Sequence, residues 1–513
     1  MNRRRAALAA LTLTAGALAC AAPAFAVDRT GRDLPKPVAT GEPWTDAQIA
    51  SLDANLDLAI AGSKTLAGAH VGAYAIDPRD GRVLYERNQD DAFQPASTLK
   101  LVVGSAALDK LGPAFRFHTD ATVENAVVDG VVRGNLTLHG TGDVLLDEAA
   151  LATLPAALRE ASIDQIERDV VADPLDPLQY RPGWEIDDLP WYYAAPITAL
   201  GYDDDAVAVT VTPGAQPGDP VTATVQPWGS AVRDVHACAP RELSFCIVVA
   251  ATTGAAETPS SLDALRPRDR ADEVDVVGTL AAGAKPEVLS LAVPSPPRFA
   301  AAAARRALLA GGVRIGDREI GVPPHDTTPS RVVWSHDSEP LSDLLADMWL
   351  PSDNLLAEAL LHALGAEPPA LRGTSEAGIA WEKTWLSKVG VDPAAGLDLV
   401  DGSGLSAYDR ITPRDLVLVL RHDWDGPNRD LVLDALPIAG VRGTLRSQFR
   451  GTSVERHVFA KTGTLSHVAT LAGYATTEKH GAVIFAFQVD DWIGDRGDLR
   501  DARERFLTQL VED

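Results

Sequence analysis

The stretch VFAKTGTLSHVATLAGYA, residues 458–475, has two apolar segments with a polar segment between them. Residues 458–460 and 468–474 are mostly small or apolar, which predicts a pair of β-strands. The polar segment is Lys461-Thr462-Gly463-Thr464. A lysine beside two hydroxyls fits either a solvated strand edge or a surface that binds an anion. The rest of the chain has to decide between them.

The chain has 513 residues and a formal net charge of -25. This length exceeds what one hydrophobic core usually supports, so we expect at least two domains. The apolar fraction of 46% is typical of a folded protein. The negative charge argues against a nucleic acid or an anionic lipid surface as the main partner.

The first 26 residues have the features of a secretory signal peptide. Arg3, Arg4 and Arg5 form a basic start, residues 6–22 are apolar, and residues 24–26 (AFA) provide a cleavage site. We therefore assign residues 1–26 to a signal and predict export to the periplasm or another extracytoplasmic space. A lipoprotein anchor at Cys20 is the alternative. No later stretch is long and apolar enough to predict a membrane span.

Two cysteines remain after the signal, Cys238 and Cys246. In an exported protein they fit a disulfide across a short loop, and free buried thiols are the alternative. The cysteine spacing matches no zinc site, and the histidines are scattered.

Hydrophobic periodicity divides the rest of the chain into three regions. Up to residue 112 the predicted elements are a helix, two strands and a second helix, at 45–60, 71–76, 82–87 and 99–111. From about residue 117, short alternating segments and turns predict a β-rich region that continues to about residue 300. Helical patterns then dominate residues 341–419. This order predicts an α+β domain that is split in the sequence by a β-rich insertion.

Ser97-Thr98-Leu99-Lys100 places a hydroxyl and an amine on one face of a predicted helix, roughly 5–6 Å apart at Cβ. A serine needs a neighbour that takes its proton before it becomes a good nucleophile. A lysine can do so where burial lowers its pKa. Taken alone, the pair also fits a helix N-cap followed by a solvated lysine.

Ser352-Asp353-Asn354 precedes a clear helical segment, LLAEALLHALG. All three residues are favoured helix caps, which is the structural interpretation. The functional interpretation is that the Ser352 hydroxyl relays a proton. The Asn354 amide, with its donor and acceptor, would then hold a substrate amide.

In Lys461-Thr462-Gly463-Thr464, the lysine and the threonine hydroxyls could bind a terminal carboxylate. The missing side chain of Gly463 would let a substrate backbone approach. A turn between edge strands is the structural alternative.

The three segments follow the order S-x-x-K, S-x-N and K-T-G, at a predicted helix start, a helix-entry loop and a strand. The chain therefore resembles the class C low-molecular-mass penicillin-binding proteins. These are the D-alanyl-D-alanine carboxypeptidases/endopeptidases of peptidase family S13, of the penicillin-binding protein 4 type. Other segments that carry the resemblance are QPASTLK (94–100), GNLTLHGTGD (134–143), YAAPITALGYDDD (193–205), SDNLLAEALLHALG (352–365), DGSGLS (401–406), GVRGTL (440–445) and AKTGTLSHVATLAGY (460–474).

The spacing of the motifs agrees with the family. Ser97 and Ser352 lie 255 residues apart (352 − 97), much farther than in a compact β-lactamase. The resemblance implies an α+β fold: a penicillin-binding (serine β-lactamase/transpeptidase-like) domain with an antiparallel sheet flanked by helices, interrupted by a β-rich insertion of two smaller domains. The predicted ranges are 27–116 and 335–513 for the penicillin-binding domain, 117–200 and 270–334 for inserted domain II, and 201–269 for inserted domain III.

The resemblance implies a serine-type D-Ala-D-Ala carboxypeptidase and DD-endopeptidase that acts on peptidoglycan stem peptides and cross-links and is inhibited by β-lactams. The implied catalytic residues are Ser97, Lys100, Ser352, Asn354 and Lys461, and the implied substrate-binding residues are Thr462, Gly463 and Thr464. No metal or organic cofactor and no nucleic-acid partner is implied, and a homo-oligomer is compatible with the sequence. A β-lactamase and a non-catalytic peptidoglycan-binding scaffold are the alternatives.

Three residues depart from the family pattern. Ala407 and Asp409 stand where the family usually has an arginine and an asparagine, and Arg442 stands where an aspartate is more usual. We expect these differences to affect substrate recognition. Within the segment Asp401–Ser406, Asp401-Gly402-Ser403-Gly404 is predicted to be a turn, and the segment is at most a wall of the site.

Overall fold

The structure of the protein is a computed structural model. It describes residues 34–124, 127–173, 179–226, 230–232, 237–238, 245–316, 330–367 and 373–512. The predicted signal peptide, residues 1–26, lies outside the described residues.

The first long helix begins where the sequence predicts. Thr45 accepts a hydrogen bond from the backbone N–H of Gln48, and the Gln48 side chain accepts from the backbone N–H of Thr45, a capping box that satisfies two free donors. The described helices are α1 (Asp46–Ala61), α2 (Leu99–Leu111), α3 (Glu148–Leu151), α4 (Leu154–Glu160), α5 (Pro296–Ala310), α6 (Leu341–Trp349), α7 (Asn354–Leu364), α8 (Ser375–Val389), α9 (Pro413–Asp425), α10 (Arg429–Ala435) and α11 (Arg496–Glu512).

The strands fall into one sheet from the two ends of the chain and several sheets from its middle. They are β1 (His70–Ile76), β2 (Val83–Arg87), β3 (His118–Glu124), β4 (Val127–Val128), β5 (Val131–Val132), β6 (Leu136–Gly140), β7 (Gln165–Ile166), β8 (Val170–Ala172), β9 (Ala206–Thr212), β10 (Thr222–Gln226), β11 (Ser230–Val232), β12 (Ala237–Cys238), β13 (Cys246–Val249), β14 (Thr252–Gly254), β15 (Ser261–Leu265), β16 (Glu273–Ala281), β17 (Glu287–Ala292), β18 (Arg314–Ile315), β19 (Ser330–Asp337), β20 (Val458–Leu465), β21 (Val468–Thr477) and β22 (Gly481–Asp490).

The main sheet has the antiparallel order β2-β1-β22-β21-β20. It joins strands from residues 70–87 with strands from residues 458–490, so the domain that holds this sheet is interrupted in the sequence, as expected for the predicted fold class. Strand β22 is buried on both faces. Alternate side chains therefore serve two cores: Ile484 packs with the helical layer that includes α2, α7 and α9, whereas Phe485 packs with α1 and α11.

The described residues of the insertion form four small sheets around a separate hydrophobic cluster. Its first and last long strands, β3 and β19, pair with each other next to the split domain. The predicted division into two inserted domains remains a prediction. Its boundary at residues 269 and 270 separates strands that pair, because β13 and β15 both pair with β16 and β9 pairs with β17. The boundary at residue 334 likewise falls inside β19.

Two smaller expectations concern the cysteines and the membrane. Cys246 is disulfide-bonded, and its backbone is in register with that of Cys238 across β12 and β13. Within the described part of the chain, every helix is too short or too polar to span a bilayer.

Candidate active site

Ser97 lies in a short 3-10 turn, Ala96–Thr98, just before α2. Ala96 has a φ of 44°, a left-handed conformation that is uncommon for a residue with a side chain and costs about 1–3 kcal/mol. Hydrogen bonds hold the turn in place: the hydroxyls of Thr98 and Thr470 both donate to the carbonyl of Pro95, at 2.6 and 2.8 Å. The serine is therefore presented on a strained and well-supported turn.

Two glycines make room for this turn. A Cβ at Gly404, whose φ is 75°, would lie 1.9 Å from the Ala96 carbonyl oxygen. A Cβ at Gly463 would lie 2.1 Å from the Thr470 hydroxyl and 2.9 Å from Ala96 Cβ. The space beside Gly463 is thus filled by the protein itself. In the structure the missing side chain of Gly463 lets β20 approach the Ser97 turn; that it also admits a substrate backbone stays a prediction.

Lys100 is fully buried and makes three hydrogen bonds with its amine. The Nζ atom lies 2.9 Å from Ser97 Oγ, 2.6 Å from Asn354 Oδ1 and 2.6 Å from the carbonyl oxygen of Ser403. The predicted proximity of Ser97 and Lys100 is therefore present, with the lysine inside the protein. A solvated lysine after a helix cap, the structural alternative, is wrong.

Burial lowers the pKa of Lys100 to about 8, while nearby carboxyl groups, chiefly that of Asp401, oppose this shift. Burial also lowers the pKa of Lys461 well below its usual value, and the charge on Lys100 adds to the effect. Two amines in one dry site disfavour a second positive charge. The site therefore holds a lysine that can accept a proton near neutral pH.

Ser352 and Lys461 form the second hydrogen-bonded pair. Lys461 Nζ donates to Ser352 Oγ and to the carbonyl oxygen of Thr462, each at 2.8 Å. Ser352 has a φ of 71°, so it occupies a left-handed turn just before α7. Its neighbour Asp353 is the N-cap of α7 and accepts from the backbone N–H of Leu356. The capping interpretation is correct for Asp353, and it leaves Ser352 free to face Lys461.

Asn354 is largely buried and bridges two parts of the chain. Its Oδ1 accepts from Lys100, and its Nδ2 donates to the carbonyl oxygen of Tyr193 at 2.8 Å. Tyr193 belongs to the insertion and, through its hydroxyl, donates to Asp188 at 2.8 Å. Both ends of the amide are occupied by the protein. In this structure Asn354 therefore orients Lys100, a contact that the sequence did not predict.

The Lys461–Thr464 segment lies within β20, and the turn follows it at residues 466–467. This corrects the alternative in which the segment forms the turn between the strands. β20 is the edge strand of the main sheet, but within this segment Lys461 and Gly463 are buried and Thr462 is half-buried. Thr462 Oγ1 donates to Thr444 Oγ1 at 2.7 Å, and Thr464 is exposed in the cleft.

A cleft of about 390 Å³ runs past these groups. Ser97, Ser352, Asn354 and Thr464 line it, so residues from all three motifs meet in one place. The insertion and the first residue of α11 contribute charged residues that the sequence analysis missed: Glu185, Asp188 and Arg496. No local motif indicates these positions, because they reach the cleft only through the tertiary fold.

The segment Asp401–Ser406 does more than form a wall. Its Ser403 carbonyl is a direct acceptor for Lys100, while Gly404 and Leu405 line the cleft. The three residues that depart from the family pattern differ in their position relative to the cleft. Ala407 lines the cleft, whereas Asp409 and Arg442 are buried.

Both buried departures support the backbone. Asp409 accepts from the backbone N–H of Val400 at 2.7 Å, and Arg442 donates to the carbonyl oxygens of Leu436 and Asp434. Of the three residues, only Ala407 lines the cleft; that all three affect substrate recognition stays a prediction.

Comparisons with known proteins give a family and several relatives. Residues 52–510 match the model of the D-Ala-D-Ala carboxypeptidase 3 (S13) family. A D-alanyl-D-alanine carboxypeptidase of Actinomadura sp. (strain R39) is 32% identical over 487 residues, which is 92% of this chain and 84% of that protein. The D-alanyl-D-alanine carboxypeptidase DacB of Haemophilus influenzae is 26% identical, over 88% of this chain and 91% of that protein.

A solved structure is also similar. The crystal structure of penicillin-binding protein 4 (dacB) from Haemophilus influenzae matches with a TM-score of 0.74 and 26% identity, over 91% of this chain and 99% of that one. A complex of the same protein with a novel β-lactam matches with a TM-score of 0.72 and 25% identity, over 90% and 100%. The family match extends over most of the chain, and the chain belongs to the D-Ala-D-Ala carboxypeptidase S13 family.

Proposed function

We propose that this protein is a serine-type D-Ala-D-Ala carboxypeptidase and DD-endopeptidase that cleaves peptidoglycan stem peptides and cross-links through an acyl-enzyme on Ser97. The observation that carries the proposal is the distance of 2.9 Å between Ser97 Oγ and the buried Lys100 Nζ. A hydroxyl at this distance from a desolvated amine can lose its proton as it attacks.

In the first step, Ser97 Oγ attacks the carbonyl carbon between two D-alanines while its proton moves to Lys100. The backbone N–H groups of Ser97 and Thr464 would stabilise the oxyanion. The C–N bond then breaks, and the departing amine takes a proton through Ser352. Water hydrolyses the resulting ester and restores Ser97.

The second lysine has a separate role in substrate binding. Lys461 would bind the terminal carboxylate of the substrate together with Thr462 and Thr464. Burial and the charge on Lys100 disfavour a proton on Lys461 in the free site, and a bound carboxylate would reverse this by placing an opposite charge beside it. The substrate thus contributes to the electrostatics of its own site.

Two further activities follow from the same chemistry. Cleavage of a D-Ala–diaminopimelate cross-link differs only in the larger leaving group, and a cleft open to solvent has room for it. A β-lactam resembles the D-Ala-D-Ala bond and would acylate Ser97. A β-lactam complex of the Haemophilus influenzae relative supports this proposal. The signal-like residues 1–26 support export, and a homo-oligomer stays a prediction.

The test is intact-protein mass after incubation with benzylpenicillin, on the mature chain and on Ser97→Ala. A single stable adduct that is absent from Ser97→Ala is the expected result, together with release of D-alanine from a D-Ala-D-Ala peptide by the mature chain alone. Unmodified protein with intact drug would favour a non-catalytic scaffold. Unmodified protein with hydrolysed drug would favour a β-lactamase.

A further inference from the structure

The contacts of Lys100 define the direction of its lone pair. A neutral amine has two N–H donors and one lone pair. Asn354 Oδ1 and the Ser403 carbonyl oxygen can only accept, and both lie 2.6 Å from Nζ. They therefore take the two N–H groups, and the third direction, toward Ser97 Oγ at 2.9 Å, is left for the lone pair.

The Ser403 carbonyl is itself held by buried carboxyl groups. Glu358 Oε1 accepts from the backbone N–H groups of Gly402 and Ser403, at 2.9 and 2.8 Å. Asp401 Oδ1 accepts from the backbone N–H of Gly404 at 2.6 Å. That N–H belongs to the same peptide group as the Ser403 carbonyl, so the hydrogen bond to Asp401 fixes the plane of this peptide group and with it the direction of the carbonyl.

Helix α7 connects these contacts. Glu358 lies four residues after Asn354, so the two side chains project from the same face of α7. One of them contacts Lys100 directly, and the other holds the segment that supplies the second acceptor.

We propose that Glu358 is a positioning residue for Lys100. It holds the segment Asp401–Ser406 so that the Ser403 carbonyl and Asn354 accept hydrogen bonds from both N–H groups of neutral Lys100. This inference rests on the proposed function, because it assumes that Lys100 accepts the proton of Ser97. It assigns a role to a glutamate that is in contact with neither the substrate nor Ser97.

The surroundings of Glu358 indicate what its side chain must provide. Its side chain is fully buried, and among the described residues its Oε2 has no hydrogen-bond partner. Burial, and then the charge of Asp401, raise the pKa of Glu358 to about 8. The side chain thus acts near neutral pH as an uncharged acceptor. Besides Glu358 and Asp401 themselves, the titratable or charged groups that act on these two carboxyl groups are Glu382, Asp409, Arg181 and Lys100.

The experiment compares Glu358→Gln with Glu358→Met. The glutamine keeps the acceptor oxygen and resembles the uncharged glutamate, whereas the methionine has similar size and cannot accept these bonds. We expect Ser97 acylation by benzylpenicillin at pH 7 to stay within about threefold of wild type in Glu358→Gln and to fall at least about tenfold in Glu358→Met. In Glu358→Met, kcat on a D-Ala-D-Ala peptide should fall more than KM rises.

The pH profile distinguishes positioning of Lys100 from a purely structural role of Glu358, because a structural role would leave the midpoint of the profile unchanged. Without the Ser403 carbonyl, protonated Lys100 loses one of three acceptors, so its pKa should fall. Glu358→Met should therefore combine a lower plateau rate with a midpoint below that of wild type. If Glu358→Met does not fold, Glu358→Asp, which withdraws the carboxyl by one methylene, should show the same combination.

Wild-type acylation in Glu358→Met or Glu358→Asp would overturn the proposal. An equal loss in Glu358→Gln and Glu358→Met would overturn it too, because it would indicate a need for charge. A wild-type chain that is not acylated would instead contradict the proposed function. Crystal structures of wild type and Glu358→Met would then test the positioning role directly, and an unmoved Ser403 carbonyl would overturn it.

Discussion

Raising the pH from 7 to 9 should speed the acylation of Ser97 about tenfold, because Lys100 must be neutral to accept the serine proton. With the pKa of Lys100 at about 8, about 9% of it is neutral at pH 7 and about 90% at pH 9. An exposed lysine would be neutral in only about 0.04% of molecules at pH 7. Desolvation of Lys100 therefore increases the reactive fraction roughly 200-fold at neutral pH.

The assay is the second-order rate constant for covalent adduct formation with benzylpenicillin, followed by acid quench and intact-protein mass between pH 6 and pH 9.5. Burial also raises the pKa of Glu358 to about 8 and lowers that of Lys461. The profile is therefore measured on Glu358→Gln as well, and a rise with pH that persists there and is lost with Lys100 is assigned to Lys100. The matched variant is Lys100→Arg, which keeps a cation that cannot lose its proton. We expect its rate to fall at least about 1,000-fold and to show no rise with pH.

The direction in which the acylation rate changes with pH tests whether Lys100 is the base. A pKa lowered by burial predicts a rate that is small below pH 7, rises through about pH 8 and then becomes constant. A rate that is independent of pH, or that falls between pH 7 and 9, would exclude Lys100 as the base. A midpoint near pH 10 would mean that Lys100 is solvated in solution, contrary to its burial here.

Three further predictions concern single positions. Ser352→Ala should slow adduct formation about 100-fold with little change in Tm, and an unchanged rate would exclude its proton relay. Gly404→Ala places a methyl 1.9 Å from the Ala96 carbonyl oxygen, so it should lower the free energy of unfolding by about 1–3 kcal/mol and slow acylation at least tenfold. The control is Gly283→Ala, at a glycine with the same φ of 75° and open space around it, which should leave acylation unchanged. Equal effects of the two substitutions on acylation would contradict the clash. Burial raises the pKa of Asp423 from 3.8 to about 7, so the folded protein retains a proton that the unfolded chain releases, and wild type should lose stability relative to Asp423→Asn as the pH rises from about 4 to 7. Urea unfolding at pH 5 and pH 7.5 measures this difference, and parallel stabilities would contradict the shift.

The sequence determined the identity of the chemistry. The motifs at Ser97, Ser352 and Lys461 could be read locally, because a helix start, a helix cap and a strand each have a short-range signature. The same signals predicted the capped helix α1 and the strand pair β20 and β21. They also predicted a split domain, since the change in hydrophobic period near residue 117 is a property of the sequence.

Only the tertiary structure decided which groups surround Lys100. The Ser403 carbonyl is a main-chain atom, and the contact of Asn354 with Tyr193 joins residues far apart in the chain, so no residue pattern could indicate either. The packing of Gly463 against the Ser97 turn was likewise not predicted, because a glycine in a strand indicates that something approaches closely without indicating what. The boundaries inside the insertion depend on which strands pair, and pairing between β9 and β17 is a long-range choice. The lowered pKa of Lys100 follows from burial, which exists only once the whole domain has closed around it.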